Sequence, residues 1–142
     1  MHKRLSLTLI IVCIVLSIST IAIAKDIVYG NVKVSRVTKV YDGDTFAVDI
    51  NEFPAIVGKD ISIRIYGIDT PEMKSGNKAA LEAKKFVEYR LSRAKKIILR
   101  NIRRGKYFRI VAEVYLDGES LGDMLLKAGL AKRYYGGEKS AW

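Results

Sequence analysis

The stretch Ile61-Ser62-Ile63-Arg64-Ile65-Tyr66-Gly67 constrains the fold of this chain more than any other. Isoleucine alternates with Ser62, Arg64 and Tyr66, a period of two that turns one apolar face to a core and one polar face away from it. The strand stops at Gly67, and Ile68-Asp69-Thr70-Pro71-Glu72 follows. One permanently charged side chain thus sits on a rigid element, with two carboxylates on the turn that leaves it. These are the components of a site that handles a metal ion and a phosphate.

Other segments carry the same kind of pattern. Val32 to Val40 reads as a twisted, bulged strand. Asp42-Gly43 between apolar runs is a hairpin signal, and Thr45 to Ile50 is the partner strand, with Phe46, Val48 and Ile50 on one face. Asn51 to Gly58 reads as a loop. Ala80, Ala83, Val87 and Leu91 recur at helical spacing. Lys95 to Ile102 reads as a fourth strand, Arg103-Arg104-Gly105-Lys106 as a basic turn, and Phe108 to Leu116 as a fifth strand. Ser120 with Asp123 resembles a capping box, opening a helix that Gly129 ends. Leu130 to Tyr135 is a short extended segment. The order β-β-β-α-β-β-α predicts an all-β core with helices, arranged as a five-stranded OB-fold barrel, which often binds oligonucleotides.

The N-terminus reads differently. Lys3 and Arg4 precede an apolar run ending in Ala22-Ile23-Ala24, an A-x-A cleavage signal. Residues 1–24 are expected to be a secretory signal peptide, the alternative being an uncleaved membrane anchor, and residues 25–142 the folded domain. The destination is then exported, either secreted or periplasmic.

Composition narrows the chemistry. The single cysteine, Cys13, and the single histidine, His2, both lie in the leader. From residue 25 onward the chain cannot build a His/Cys zinc site, a Ser-His-Asp or Cys-His nucleophile, or a histidine base. Carboxylate, Arg, Lys, Tyr and Ser/Thr chemistry remains, and exported carboxylates suit a hard cation such as Ca²⁺. The net charge is +10, and setting aside Lys3 and Arg4 leaves an excess of 8 basic over acidic residues. Such a balance favours a polyanionic partner.

Each candidate residue also has an ordinary reading. Asp42-Gly43-Asp44-Thr45 serves a hairpin turn, or makes Asp44 a metal ligand. Asp69-Thr70-Pro71-Glu72 caps a turn, or adds Asp69 as a second ligand and Glu72 beside a water. Arg64 and Arg109 are surface charges, or guanidinium forks for phosphate oxygens. Tyr134 and Tyr135 pack, or stack on a base.

Taken in order, Asp-Gly-Asp-Thr, Arg…Gly-Ile-Asp-Thr-Pro-Glu, Tyr-x-Arg, Asp-Gly and Gly-Leu-Ala-Lys…Tyr resemble the staphylococcal (micrococcal) nuclease, or thermonuclease, family over about Val32 to Tyr135. The resemblance implies an OB-fold and a Ca²⁺-dependent endonuclease acting on DNA and RNA, leaving 3′-phosphates. It implies that Asp44, Asp69 and the Thr70 carbonyl hold Ca²⁺. Glu72 is the implied general base or water positioner, and Arg64 and Arg109 the catalytic arginines. Lys106 and Tyr107 would contact a terminal nucleotide phosphate, and Tyr135 would line the nucleotide pocket. A monomer acting on nucleic acid needs no protein partner. The alternative is a non-catalytic OB-fold that only binds nucleic acid, and a further one a membrane-anchored binding module using its basic face. Three departures stand out: a shorter segment after Glu72, Phe108 in place of a glycine, which is expected to shift Arg109, and a short C-terminus in which Trp142 is expected to cover the surface of a missing helix.

Overall fold

The structure is a computed structural model of the 142-residue chain and describes residues 27–74, 77–139 and 142. The expected signal segment, residues 1–24, lies outside the described residues. Among the described residues no helix is long and apolar enough to cross a membrane.

The elements are β1 (Val32–Lys33), β2 (Arg36–Val40), β3 (Thr45–Asp49), α1 (Ala55–Gly58), β4 (Ile61–Ile65), β5 (Ile68–Asp69), α2 (Lys78–Arg93), β6 (Ile97–Arg104), β7 (Ile110–Leu116), β8 (Glu119–Ser120), α3 (Leu121–Lys127) and β9 (Lys132–Arg133). The main sheet runs β1-β6-β7-β4-β3-β2, with β8 added to β7, and β5 pairs β9 in a separate ribbon. All pairings are antiparallel except β4 with β7, which is parallel. β1 and β2 lie at opposite ends of the main sheet, yet only Val34 and Ser35 separate them. Val34 N donates to Ile97 O (3.0 Å), and Ser35 N donates to Asp49 O (2.9 Å). One short run of backbone therefore touches both edges, and the sheet curls around its core.

The alternation in β4 works as expected. Ile61, Ile63 and Ile65 are buried with Phe46, Val48, Ile50, Leu99 and Val114, while Arg64 points to the other face. Helix α2 closes the core with Ala80, Ala83, Val87 and Leu91, and the Asn77 side chain caps it by accepting from Ala80 N at 3.1 Å. Ser120 Oγ accepts from Asp123 N at 3.2 Å, starting α3, and Gly129 takes a φ of +70° just beyond that helix.

Several boundaries differ from the sequence reading. Val32 to Val40 is two strands with an irregular register between Val37 and Lys39. Asn51 to Gly58 is not all loop, because Pro54 starts a single helical turn. The basic pair Arg103-Arg104 belongs to β6, because Arg103 pairs Val111 and Arg104 pairs Ile110 beyond an irregularity after Arg100. Cross-strand pairing thus outweighs the turn character of the adjacent Gly105. Phe108 lies outside β7, in the turn preceding it.

Candidate active site

Asp44 is placed by its own turn. Tyr41 N and Asp42 N both donate to Thr45 O, and Asp44 N donates to Asp42 Oδ1 at 3.0 Å. Glycine is required at the centre for space: a Cβ on Gly43 would sit 2.7 Å from Ala83 Cβ and 2.9 Å from Thr70 Cγ2. The turn is thereby pressed between α2 and the segment after β5. Asp44 is buried, and its Oδ2 accepts from Thr70 N (2.9 Å) and Thr70 Oγ1 (3.1 Å), while Oδ1 accepts from Thr45 Oγ1 (2.9 Å).

Arg64 stands on β4 between Thr45 of β3 and Val111 of β7. Its Nη1 pairs with Asp44 Oδ2, and its Nη2 lies 3.0 Å from Asp69 Oδ1 and 3.2 Å from Ile68 O. Burial pushes the guanidinium pKa down, and Asp69 and Asp42 oppose that shift. Arg109 is close enough that its like charge adds to the lowering. Burial likewise raises the Asp42 carboxyl, against hydrogen bonds from Thr45 and the charge of Arg64.

Asp69 is held by the β5–β9 ribbon, where it pairs Lys132. Two further groups converge on it. Lys139 Nζ lies 3.0 Å from Asp69 Oδ1 and 3.4 Å from Glu72 Oε1, and Trp142 Nε1 donates to Asp69 Oδ2 at 3.3 Å. Burial raises the Asp69 carboxyl, but hydrogen bonds from Lys139 and Trp142 and the charges of Lys139 and Arg64 hold it below the usual range. Glu72 is exposed. Lys74, at 3.1 Å, and Lys139 lower its pKa, and the contact with Asp69 raises that of Lys139.

The structure thus brings Asp44, Arg64, Asp69 and Thr70 into direct contact, with Glu72 joined to them through Lys139. Arg109 sits in the β6–β7 connection, where Arg109 N donates to Lys106 O (3.1 Å) and Gly105 N to Arg109 O (2.7 Å). Tyr107 (φ +55°) and Phe108 (φ +61°) both adopt the left-handed region, which defines a type I′ turn. Phe108 therefore takes a conformation that glycine adopts freely and that costs an L side chain strain. Lys106 and Tyr107 stand exposed on that turn, outside the carboxylate cluster. Tyr135 is exposed and meets Tyr66 edge-on, with centroids 5.6 Å apart. Sequence reasoning missed Lys139, and it assigned Trp142 a covering role where the structure places it at Asp69. No local signal marks either residue, because both lie some seventy residues from Asp69 in the chain.

Among the described residues no three His, Cys, Asp or Glu side chains form a ready-made metal cage. The donors still fit a hard cation, since Asp44 and Asp69 offer carboxylate oxygens and the backbone carbonyl of Thr70 adjoins them. The Lys139 ammonium already lies between Asp69 and Glu72, so these carboxylates accept positive charge.

A curled sheet that buries two carboxylates and joins them through one strand-borne arginine defines a small β domain with a charged cluster at its surface. Residues 62–141 match the family described as "Staphylococcal nuclease homologue". The chain is 34% identical over 106 residues to "Endonuclease YncB" of Bacillus subtilis (strain 168), covering 68% of this chain and 46% of the relative. It is 34% identical over 106 residues to the "SPbeta prophage-derived endonuclease YokF" of the same organism, covering 68% and 33%. It is 32% identical over 108 residues to the "Thermonuclease" of Staphylococcus hyicus, covering 72% and 60%. The chain belongs to the staphylococcal nuclease family. It spans about half the length, or less, of the two Bacillus relatives.

Proposed function

We propose that this chain is an exported, Ca²⁺-dependent endonuclease that hydrolyses phosphodiester bonds of DNA and RNA with little sequence preference, leaving 3′-phosphates. The observation that carries the proposal is Arg64, whose single guanidinium joins Asp44 and Asp69. The curated relatives carry endonuclease names. The curled main sheet supports an OB-fold-like domain, and we take residues 25–142 as its extent. Export rests on the leader-like residues 1–24, and a monomer suffices for the site.

Asp44, Asp69 and the Thr70 carbonyl would hold Ca²⁺, which when bound neutralises and orients the phosphodiester. Arg64, released in part from the carboxylates, turns its fork toward phosphate oxygens. Arg109 approaches the same group from the neighbouring turn. Both are charged before the substrate arrives, so they favour the more highly charged transition state without reorganisation. Lys74 and Lys139 lower the Glu72 pKa further below its ordinary carboxylate value. A carboxylate held low is a weak proton acceptor, which suits Glu72 to aligning the attacking water by a hydrogen bond.

The test is digestion of single-stranded DNA and RNA with Ca²⁺ or excess chelator, with end-group analysis of the products. Ca²⁺-dependent cleavage to 3′-phosphates supports the proposal. Cleavage undiminished by chelator removes the metal, and binding without cleavage leaves a non-catalytic nucleic-acid-binding domain.

A further inference from the structure

A concave feature outside the carboxylate cluster has Arg109 on its wall, and Arg109 is near enough to Arg64 for its charge to be felt there. The feature is a groove of about 410 Å³, in the range of small-ligand sites, and its walls include Tyr29, Phe53, Phe108, Arg103, Arg104 and Arg109. The rest of its lining is aliphatic or glycine, and it contains no acidic residue. Two of its aromatic rings are strongly exposed, Tyr29 at 59% and Phe108 at 76%. Phe108 holds that position from a left-handed backbone that disfavours any side chain. Arg109 Nε is buried and has no hydrogen-bond partner among the described residues.

We propose that this groove is a base-stacking subsite for unpaired DNA or RNA, extending the substrate track beyond the scissile phosphate. Flat rings interleaved with arginines, and no competing carboxylate, are what a single strand requires: a π-face for each base and a cation for each phosphate. Bases inside a duplex are already stacked and cannot enter. Arg109 lines the groove and lies within electrostatic reach of Arg64, so a strand whose phosphate lies at Arg109 has its neighbouring base directed into the groove. Phe108 is then a specificity-determining residue, and its exposure on a strained turn has a purpose. This assignment rests on the endonuclease reading of Arg109.

The test separates the two. Anisotropy of fluorescein-labelled octathymidylate and octauridylate is measured in excess chelator, where no cleavage is expected, with a duplex of the same length as competitor. Tyr29→Ala and Phe108→Ala, both at exposed positions, should each weaken binding about 5-fold or more, the lower end expected for loss of one base-stacking ring. Arg104→Ala should reduce the salt slope of binding by about 0.7, the increment for one single-strand phosphate contact. The duplex should compete poorly. Variants that bind as tightly as the wild type overturn the subsite even if the wild type cleaves. Variants that lose binding, in a protein that does not cleave with Ca²⁺, support the subsite and remove the endonuclease. Self-association abolished by Phe108→Ala, with oligonucleotide binding unaffected, gives the groove to a second copy and overturns the proposal.

Discussion

Arg64 Nη2 lies 3.0 Å from Asp69 Oδ1, and the other arm of the same guanidinium pairs with Asp44. Arg64 is therefore both an expected phosphate contact and the counter-charge of two buried carboxylates. Arg64→Ala should lower the cleavage rate about 10²- to 10³-fold, as for loss of one preorganised donor. In chelator it should also destabilise the fold by about 3 kcal/mol, because buried carboxylates lose their partner. Ca²⁺ should narrow that stability gap by supplying the missing charge. Denaturant melts of both proteins with and without Ca²⁺ check this, and a gap unchanged by the metal contradicts it.

Lys139 occupies the space between Asp69 and Glu72 with its ammonium group. A divalent ion on Asp44 and Asp69 would compete with it for the Asp69 carboxylate. Lys139→Ala should therefore lower the Ca²⁺ concentration needed for half-maximal cleavage, while Lys139→Arg leaves it near the wild-type value. Calcium titration of the rate reads both.

The approach of Gly43 to Ala83 and Thr70 leaves no room for a methyl group. Gly43→Ala should cost about 1–3 kcal/mol, as for other overpacked sites. It should also disturb Asp44, since the same turn positions that carboxylate. Thermal melting measures the first effect, and Ca²⁺ affinity the second.

The turn at Tyr107-Phe108 needs positive φ at both central positions. Phe108→Gly should stabilise the fold by about 1 kcal/mol by relieving left-handed strain. If the groove stacks bases, the same variant should bind oligonucleotides more weakly. A stabilised protein with poorer binding is the expected combination, and a destabilised one contradicts the strain argument.

Asp49 carries the clearest acid dependence away from the site. A hydrogen bond from the backbone N–H of Asp60 and another from Arg36 hold its carboxyl below the ordinary value of about 3.8. Its contribution is thus present above about pH 3.8 and is lost as pH falls through the depressed folded value. The stability advantage of wild type over Asp49→Asn should be full at neutral pH and shrink in acid. Chemical denaturation across that range would show a constant difference if the carboxylate contributed only by shape.

The strands, the helix carrying Ala80 to Leu91 and the hairpin at Asp42-Gly43 were legible because each follows from a local rule: alternation, helical spacing or turn chemistry. The split of Val32 to Val40 and the extension of β6 through Arg104 were not, since they depend on which strand lies alongside. Among the site residues, Asp44, Arg64, Asp69 and Thr70 were visible as residue types with a spacing, and their direct contact was not.

By itself, the sequence determined what chemistry is possible. With no histidine or cysteine after residue 24, imidazole and thiolate chemistry is absent and oxygen donors, guanidinium, ammonium and aromatic rings carry what remains; residue type alone decides that. Tertiary structure decided which of these groups meet. Arg64 reaches both acids because the β2–β3 hairpin and the β5–β9 ribbon bring Asp44 and Asp69 to the two arms of its guanidinium. Lys139 and Trp142 reach Asp69 across some seventy residues of chain. Phe108 accepts a backbone conformation that its own side chain disfavours. Such contacts arise from packing and chain closure, which no local pattern records.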